Sequence, residues 1–283
     1  MPSTPPSAPD SAANGAVLVH DAFYRFVRIA DPQALAQRLR EWTAALHGSI
    51  LVAPEGINGM LAGPAVELAH FRQRLTTDPV LDGLFAGMEF RRSTCVTRPF
   101  NRMKVHAKPE IVPLGIAGID AVCRTGINLD PPAWRALLRD PELLLIDNRN
   151  SFEYRLGRFR NAINPDVHHF RDFPRYVEQH IDAWKRQGQK VAMYCTGGIR
   201  CEKTSAWMLD LGLPVYQLAG GILRYFEQMP DADADWDGEC FVFDNRIALD
   251  TRLRETATTA EQVYDGEADG AWRLQRARLL EAG

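Results

Sequence analysis

Residues 191–213 read VAMYCTGGIRCEKTSAWMLDLGL. The apolar run that ends at Cys195 has the look of a buried strand, and Gly212 followed by Pro214 stops a helix that begins near residue 201. The segment Cys195-Thr196-Gly197-Gly198-Ile199-Arg200 therefore joins the carboxyl end of a strand to the start of a helix, where open α/β sheets bind ligands. Glycines permit positive φ there, and backbone N–H groups converge into a cradle. A thiol in that cradle feels the helix N-terminus, and Arg200 adds a full positive charge; both favour thiolate and nucleophilic chemistry. The alternative is a tight turn whose cysteine only packs, since free cysteines are commonly buried and inert.

The surroundings of this loop support a parallel sheet. ELLLID (142–147), KVAMYC (190–195) and PVYQL (214–218) are short apolar strands separated by helical patterns. One helix spans 174–187, with Val177, Ile181 and Trp184 on its inner face. Strands alternating with helices at this spacing define a parallel α/β domain. Upstream, VLVHDAFYRFV (17–27) reads as a strand, and Asp31-Pro32 as an N-cap and first-turn proline. Leu35, Leu39, Trp42 and Leu46 then form an apolar stripe. SILVAP (49–54), a turn at EGING and MLAG (60–63) add two strands. Pro64 opens a helix with Leu68, Phe71 and Leu75 on one face, and MEFRRSTCV (88–96) is a last strand. The order βαββαβ predicts a ferredoxin-like α+β domain.

The division expected is a disordered tail at 1–15, the ferredoxin-like domain at 16–105 and a linker at 106–130. The parallel α/β domain follows at 131–232, and an extension at 233–283. Pro109, Pro113, Gly115, Gly118 and Gly126 mark the linker. In the extension only CFVFD (240–244) looks like a strand. The tail has no basic residue and no apolar core, so it does not read as a secretory signal. No run approaches the roughly 18 apolar residues of a membrane span. The 283 residues carry 33 basic and 36 acidic groups, which gives no overall basic bias towards nucleic acid. Five cysteines without a C-x-x-C pair point to reduced thiols in a cytoplasmic protein.

The segments LLLIDNRNSFEYRLGRFRNAINP (143–165), 191–213 and VYQLAGGILRYFE (215–227) resemble, in order, the opening strand, active loop and closing segment of a rhodanese domain. The resemblance implies that Cys195 carries the persulfide of sulfur-transferring members. Asp147, Arg149 and Glu153 match the family's D-x-R…E stretch, which supports the fold and the rim of the site. Arg158 departs from a histidine that is common there and is not catalytic. Cys195 to Arg200 is C-x4-R, a smaller ring than the C-x5-R loop of the related cysteine phosphatases.

Together with APEGINGMLAG (53–63), RPFNRMKVHAKPEIV (98–112) and WDGECFVFD (236–244), the loop looks like that of the bacterial tRNA wobble-uridine hydroxylase family. The resemblance implies oxygen-dependent conversion of uridine 34 in the anticodon loop to 5-hydroxyuridine, with molecular oxygen as co-substrate. Some relatives end in a cysteine-rich extension; the residues at 233–283 do not resemble one, so no zinc is inferred.

Arg91, Arg92, Arg98, Arg102, Lys104 and Lys108 form a basic strip with no acid among them. It suits phosphate contacts, and Phe100 and His106 suit stacking on unpaired bases. The alternative is a solvated strand whose cations pair with acids elsewhere. With the resemblance, tRNA is the expected partner; DNA and membranes are not expected, and no protein partner is indicated. No flavin or metal motif is seen, and His168, His169 and Asp172 read as surface or loop residues. Cys201 either resolves an oxidised Cys195 or packs. Three functions stay open: tRNA hydroxylation, sulfur transfer to thiosulfate-like or RNA acceptors, and a non-catalytic RNA-binding or regulatory module.

Overall fold

The computed structural model describes residues 18–281, so the tail expected at 1–15 lies outside the described residues. The first domain runs β1 (Leu18–Phe26), α1 (Pro32–Trp42), β2 (His47–Ala53), β3 (Gly56–Gly63), α2 (Ala65–Thr77) and β4 (Arg91–Cys95), which is the expected βαββαβ order. A further strand, β5 (Met103–Ala107), joins β2 in parallel, and the sheet order is β4-β1-β3-β2-β5. Helix α1 starts where its sequence says: the Asp31 carboxylate accepts the Ala34 N–H at 2.9 Å, with Pro32 in the first turn. Leu35 and Leu39 of α1 and Leu68, Phe71 and Leu75 of α2 bury one face of the sheet against Phe23, Ile50 and Ile57.

A strand turns alternate side chains to opposite faces. The register therefore sets two rows on the face away from the helices: Arg91, Ala22, Met60, Ser49 and Lys104, then Tyr24, Asn58, Leu51 and His106. That face lines a cleft between the two domains.

The stretch 106–130 does more than connect. His106 and Ala107 belong to β5, Ile111, Val112 and Leu114 are buried in the core of the second domain, and β6 (Ile127–Leu129) edges its sheet. Prolines and glycines keep its elements short, but the apolar residues between them still pack.

The second domain continues with α3 (Pro131–Leu137), β7 (Leu143–Asp147), α4 (Ser151–Leu156), β8 (Gly157–Phe159), α5 (Phe173–Arg186), β9 (Lys190–Tyr194), α6 (Ile199–Asp210), β10 (Val215–Leu218) and α7 (Gly221–Gln228). Its sheet, β6-β10-β9-β7, is parallel throughout. Val177, Ile181 and Trp184 of α5 cover one face with Trp207 and Met208 of α6, while Trp134 of α3 and Ile222 and Tyr225 of α7 cover the other. Strand β9 is thus buried on both sides, which explains its unbroken apolar sequence. Phe26 and Ala53 of the first domain pack into the same core as α5 and α6.

In the extension, β11 (Trp236–Gly238) pairs with β8, and β12 (Cys240–Phe241) pairs with β13 (Ala248–Leu249). The strand expected over 240–244 stops at Phe241. The chain turns back there because the Asp244 carboxylate accepts from the Arg246 N–H at 3.0 Å and from its guanidinium at 2.7 and 2.8 Å. Helices α8 (Ala260–Tyr264) and α9 (Gly270–Glu281), not expected from the sequence, complete the described chain. No described helix is long and apolar enough to cross a membrane.

Candidate active site

Cys195 follows the last residue of β9, and Gly198 caps α6 with φ +99°. A helix N-terminus normally takes an oxygen acceptor from Asp, Ser or Thr. Here the sulfur takes that place: the Gly198 N–H donates to Cys195 Sγ at 3.1 Å. Burial by itself would raise the Cys195 thiol. The Cys201 thiol, the charge of Arg200 and the N–H groups of Cys201 and Arg200 outweigh it and bring the pKa down to about 6. Cys201 moves the other way, well above the ordinary thiol value, through burial and its hydrogen bond to Cys195. Asn148 Nδ2 supports Cys201 Sγ from behind at 3.8 Å. To the two roles left open for Cys201, resolving or packing, the geometry adds that of a thiol donor to the Cys195 sulfur.

The opposite wall of the loop is the start of α7. Ile222 and Leu223 N–H groups donate to the carbonyls of Cys195 and Thr196 at 3.0 and 3.2 Å. Gly221 permits this approach, since a Cβ there would stand 2.5 Å from the Cys195 carbonyl oxygen. The AGG of "VYQLAGGILRYFE" thus lets the start of α7 support the loop. Gly197, by contrast, faces open space.

Arg200 does not spend its guanidinium on the sulfur. Its two terminal nitrogens donate to Glu153 Oε2 and Oε1 at 2.8 and 3.1 Å, between the rings of Phe170 and Phe243. It acts on Cys195 through its field and its backbone N–H. Asp147 and Arg149 lie in the core rather than on the rim. They form a bidentate pair at 2.7 and 2.8 Å, both fully buried, and Arg149 also donates to the Gly157 carbonyl at 2.6 Å. Glu153 is buried beneath the loop, where it also accepts the Asn150 N–H at 3.1 Å. Glu153 thus holds the loop through Arg200, while the Asp147–Arg149 pair fixes the backbone around α4 through Gly157.

Above the loop is a cleft of about 1980 Å³ between it and the open sheet face of the first domain. Twelve arginines and lysines line it against four acidic residues, so its potential is positive although the chain as a whole is slightly negative. The basic strip is divided: alternation along β4 sets Arg92 apart from Arg91, and the loop between β4 and β5 carries Arg98 off the cleft wall. Arg91, Arg102, Lys104 and Lys108 line the cleft; Arg91 is anchored on the Gly220 carbonyl at 2.8 Å. Arg92 borders the cleft but turns to Asp21 at 3.5 Å, and Arg98 hydrogen-bonds His47 away from the cleft wall. Burial and the neighbouring charges of Arg102 and Arg276 lower the pKa of Lys104. Phe100 stacks on His20 at 6.0 Å, while His106 is exposed.

Sequence reasoning missed several residues here. Tyr24 Oη donates to Glu202 Oε2 at 2.8 Å, across the domain boundary and beside Gly198. Arg224, Arg273 and Arg276 add to the cationic walls, with Trp272 of α9 half exposed beside Arg276. The parity of Tyr24 with Ala22 in β1 is the one sequence signal that pointed to the open sheet face. His168, Glu267 and Asp269 bring ligand-type atoms within 4.8 Å of one another. Arg155 already pairs with Glu267 and Arg273 with Asp269, so this cluster ties the start of α9 to the second domain.

Residues 130–228 match the rhodanese-like domain, and residues 18–111 match the UPF0176 acylphosphatase-like domain. The molecule is therefore a rhodanese-domain protein with an acylphosphatase-like domain in front. A tRNA uridine(34) hydroxylase of Synechococcus elongatus is 47% identical over 235 residues, 82% of this chain and 85% of that one. Proteins of the same name from Legionella pneumophila (39% over 251 residues, 88% and 96% of the two chains) and Teredinibacter turnerae (42% over 237 residues, 83% and 72%) agree. The chain belongs to the tRNA uridine(34) hydroxylase family.

Proposed function

We propose that this chain hydroxylates uridine 34 of tRNA to 5-hydroxyuridine, with Cys195 as nucleophile and molecular oxygen as co-substrate. The observation that carries the reading is the placement of a low-pKa thiol at the base of a cationic cleft large enough for splayed nucleotides. Sequence-specific RNA recognition targets unpaired loops in this way. The names of the relatives supply the substrate. Uracil is an acceptor at C6, because its C5=C6 bond is conjugated with the C4 carbonyl. Addition of the Cys195 thiolate there makes C5 an electron-rich enolate carbon, ready to take up oxygen. Gly198, Arg200 and Cys201 hold the sulfur as thiolate before attack and receive it again as leaving group. A cytoplasmic location follows from a tRNA substrate and from the need for a reduced thiol.

A second reading is sulfur transfer through a Cys195 persulfide, favoured by the C-x4-R loop whose backbone N–H groups surround the sulfur. Mass spectrometry of tRNA nucleosides from cells with and without the gene separates the two. Hydroxylation predicts 5-hydroxyuridine derivatives at position 34 only in cells with the gene. A thiolated uridine with the same dependence supports sulfur transfer, and identical nucleosides in both strains defeat both.

A further inference from the structure

Glu202 is a carboxylate that the chemistry above leaves unused. It lies in the first turn of α6, directly after Cys201, and lines the cleft together with Cys195. Among the described residues no arginine or lysine pairs with it: Oε2 accepts the Tyr24 hydroxyl at 2.8 Å, and Oε1 has no hydrogen-bond donor. An unpaired carboxylate next to a thiolate is costly to bury. Burial and the nearby Cys195 charge raise its pKa, while the hydrogen bond from Tyr24 partly opposes them. A carboxylate of raised pKa that is open to the cleft is suited to proton transfer.

Substitution at C5 through a C6 thioether needs such a group. Once dioxygen has given one oxygen atom to C5, a two-electron donor reducing the other to water, that carbon bears both H and OH, and C6 bears sulfur. We propose that Glu202 is the catalytic base that removes the C5 proton, and that Tyr24 is the positioning residue that holds it. The proton passes to Glu202 Oε1, the C5–H electron pair becomes the C5=C6 double bond, and the C6–S bond breaks with its electrons returning to Cys195 as thiolate. The step is redox-neutral and needs no further reactant. It rests on the reading of Cys195 as the nucleophile. Because Tyr24 comes from β1, it also gives the first domain a part in the chemistry beyond holding RNA.

The test uses the full chain and tRNA. Glu202→Gln should slow formation of 5-hydroxyuridine at least about 100-fold, as expected for loss of a general base. Cys195 alkylation by iodoacetamide should stay near the wild-type rate. A protein–tRNA adduct that survives denaturing electrophoresis, and is absent from a Cys195→Ala, Glu202→Gln double variant, should accumulate. Tyr24→Phe should lower kcat while leaving KM for tRNA unchanged. Normal turnover by Glu202→Gln, or loss of turnover without an adduct, overturns the proposal. Cys195→Ala provides the separate arm: if it still hydroxylates, the nucleophile itself was misassigned.

Discussion

Lys203 reaches across the domain boundary to Glu55, Nζ to Oε2 2.7 Å. The ammonium also meets Glu110 at 2.5 Å and the Val112 carbonyl at 3.1 Å, and the lysine is 1% exposed. Glu55 in turn accepts the Ile111 N–H at 2.8 Å. One cation thus ties "APEG", "AKPEIV" and "CEKTS" into a single latch between the helix that carries the cysteine loop and the sheet that faces it. Tyr24 meets Glu202, the residue before Lys203, across the same boundary.

Replacing Lys203 by Met leaves Glu55 and Glu110 together without their cation. Loss of one partner from a buried ion pair costs about 3–5 kcal/mol. Chemical denaturation of the variant should show a loss of that order, and Glu110→Gln, which keeps one ion pair, should lose less. An unchanged midpoint for Lys203→Met would mean the latch contributes nothing to stability.

Cys195 alkylation should rise with pH through a midpoint near 6, because the thiolate is the reactive form and the thiol is held down to about 6. Below that pH the sulfur is protonated and the rate falls. Cys201→Ala removes a hydrogen-bond donor to the thiolate, so its midpoint should move up. Arg200→Lys should also move it up, since a lysine cannot reproduce the two-pronged contact with Glu153 that fixes the charge in place. Stopped-flow iodoacetamide kinetics across the pH range reads both shifts.

The glycines of the site should differ sharply in tolerance. Gly221→Ala forces a Cβ to within 2.5 Å of the Cys195 carbonyl oxygen at a φ of +68°, and should unfold or strongly destabilise the loop. Gly197→Ala meets no atom and should fold normally. If Gly197 opens onto the substrate space, its variant should still raise KM for tRNA. Thermal melting and tRNA kinetics on the pair separate folding from binding.

Charge reversal should follow the cleft rather than the sequence strip. Lys104→Glu and Arg276→Glu should weaken tRNA binding and flatten its logarithmic salt dependence by about 0.7 for each phosphate the side chain no longer neutralises. Arg98→Glu, beside His47 and off the cleft wall, should have a smaller effect. Equally weakened binding at all three sites would show that only net charge matters.

The two domain types, their order and the cysteine loop were legible because they rest on short-range signals: strand and helix periods, an Asp-Pro cap, a Gly stop and a glycine loop. What escaped has partners far along the chain. Arg200 finds Glu153, and Lys203 finds Glu55 and Glu110, pairings that no local pattern announces. Helix α6 buries Arg200, Lys203, Thr204 and Ser205, so its buried surface is partly polar and its sequence is a poor guide to which side faces in. The basic strip reads as continuous in sequence because nothing local shows that the loop between β4 and β5 turns Arg98 towards His47 and off the cleft wall. At 106–130, proline and glycine read as connection although Ile111 and Leu114 fill a core.

The most direct measurement supplies purified protein and unmodified tRNA with heavy-isotope dioxygen, then weighs the position-34 nucleoside at high resolution. Hydroxylation adds one oxygen and thiolation exchanges oxygen for sulfur, and both shift the nominal mass by the same amount, so the isotope decides. Wild-type protein should yield 5-hydroxyuridine carrying the heavy oxygen, and Cys195→Ala should yield none. Sulfur in the nucleoside, or a hydroxyl oxygen drawn only from water, would refute oxygen-dependent hydroxylation at Cys195.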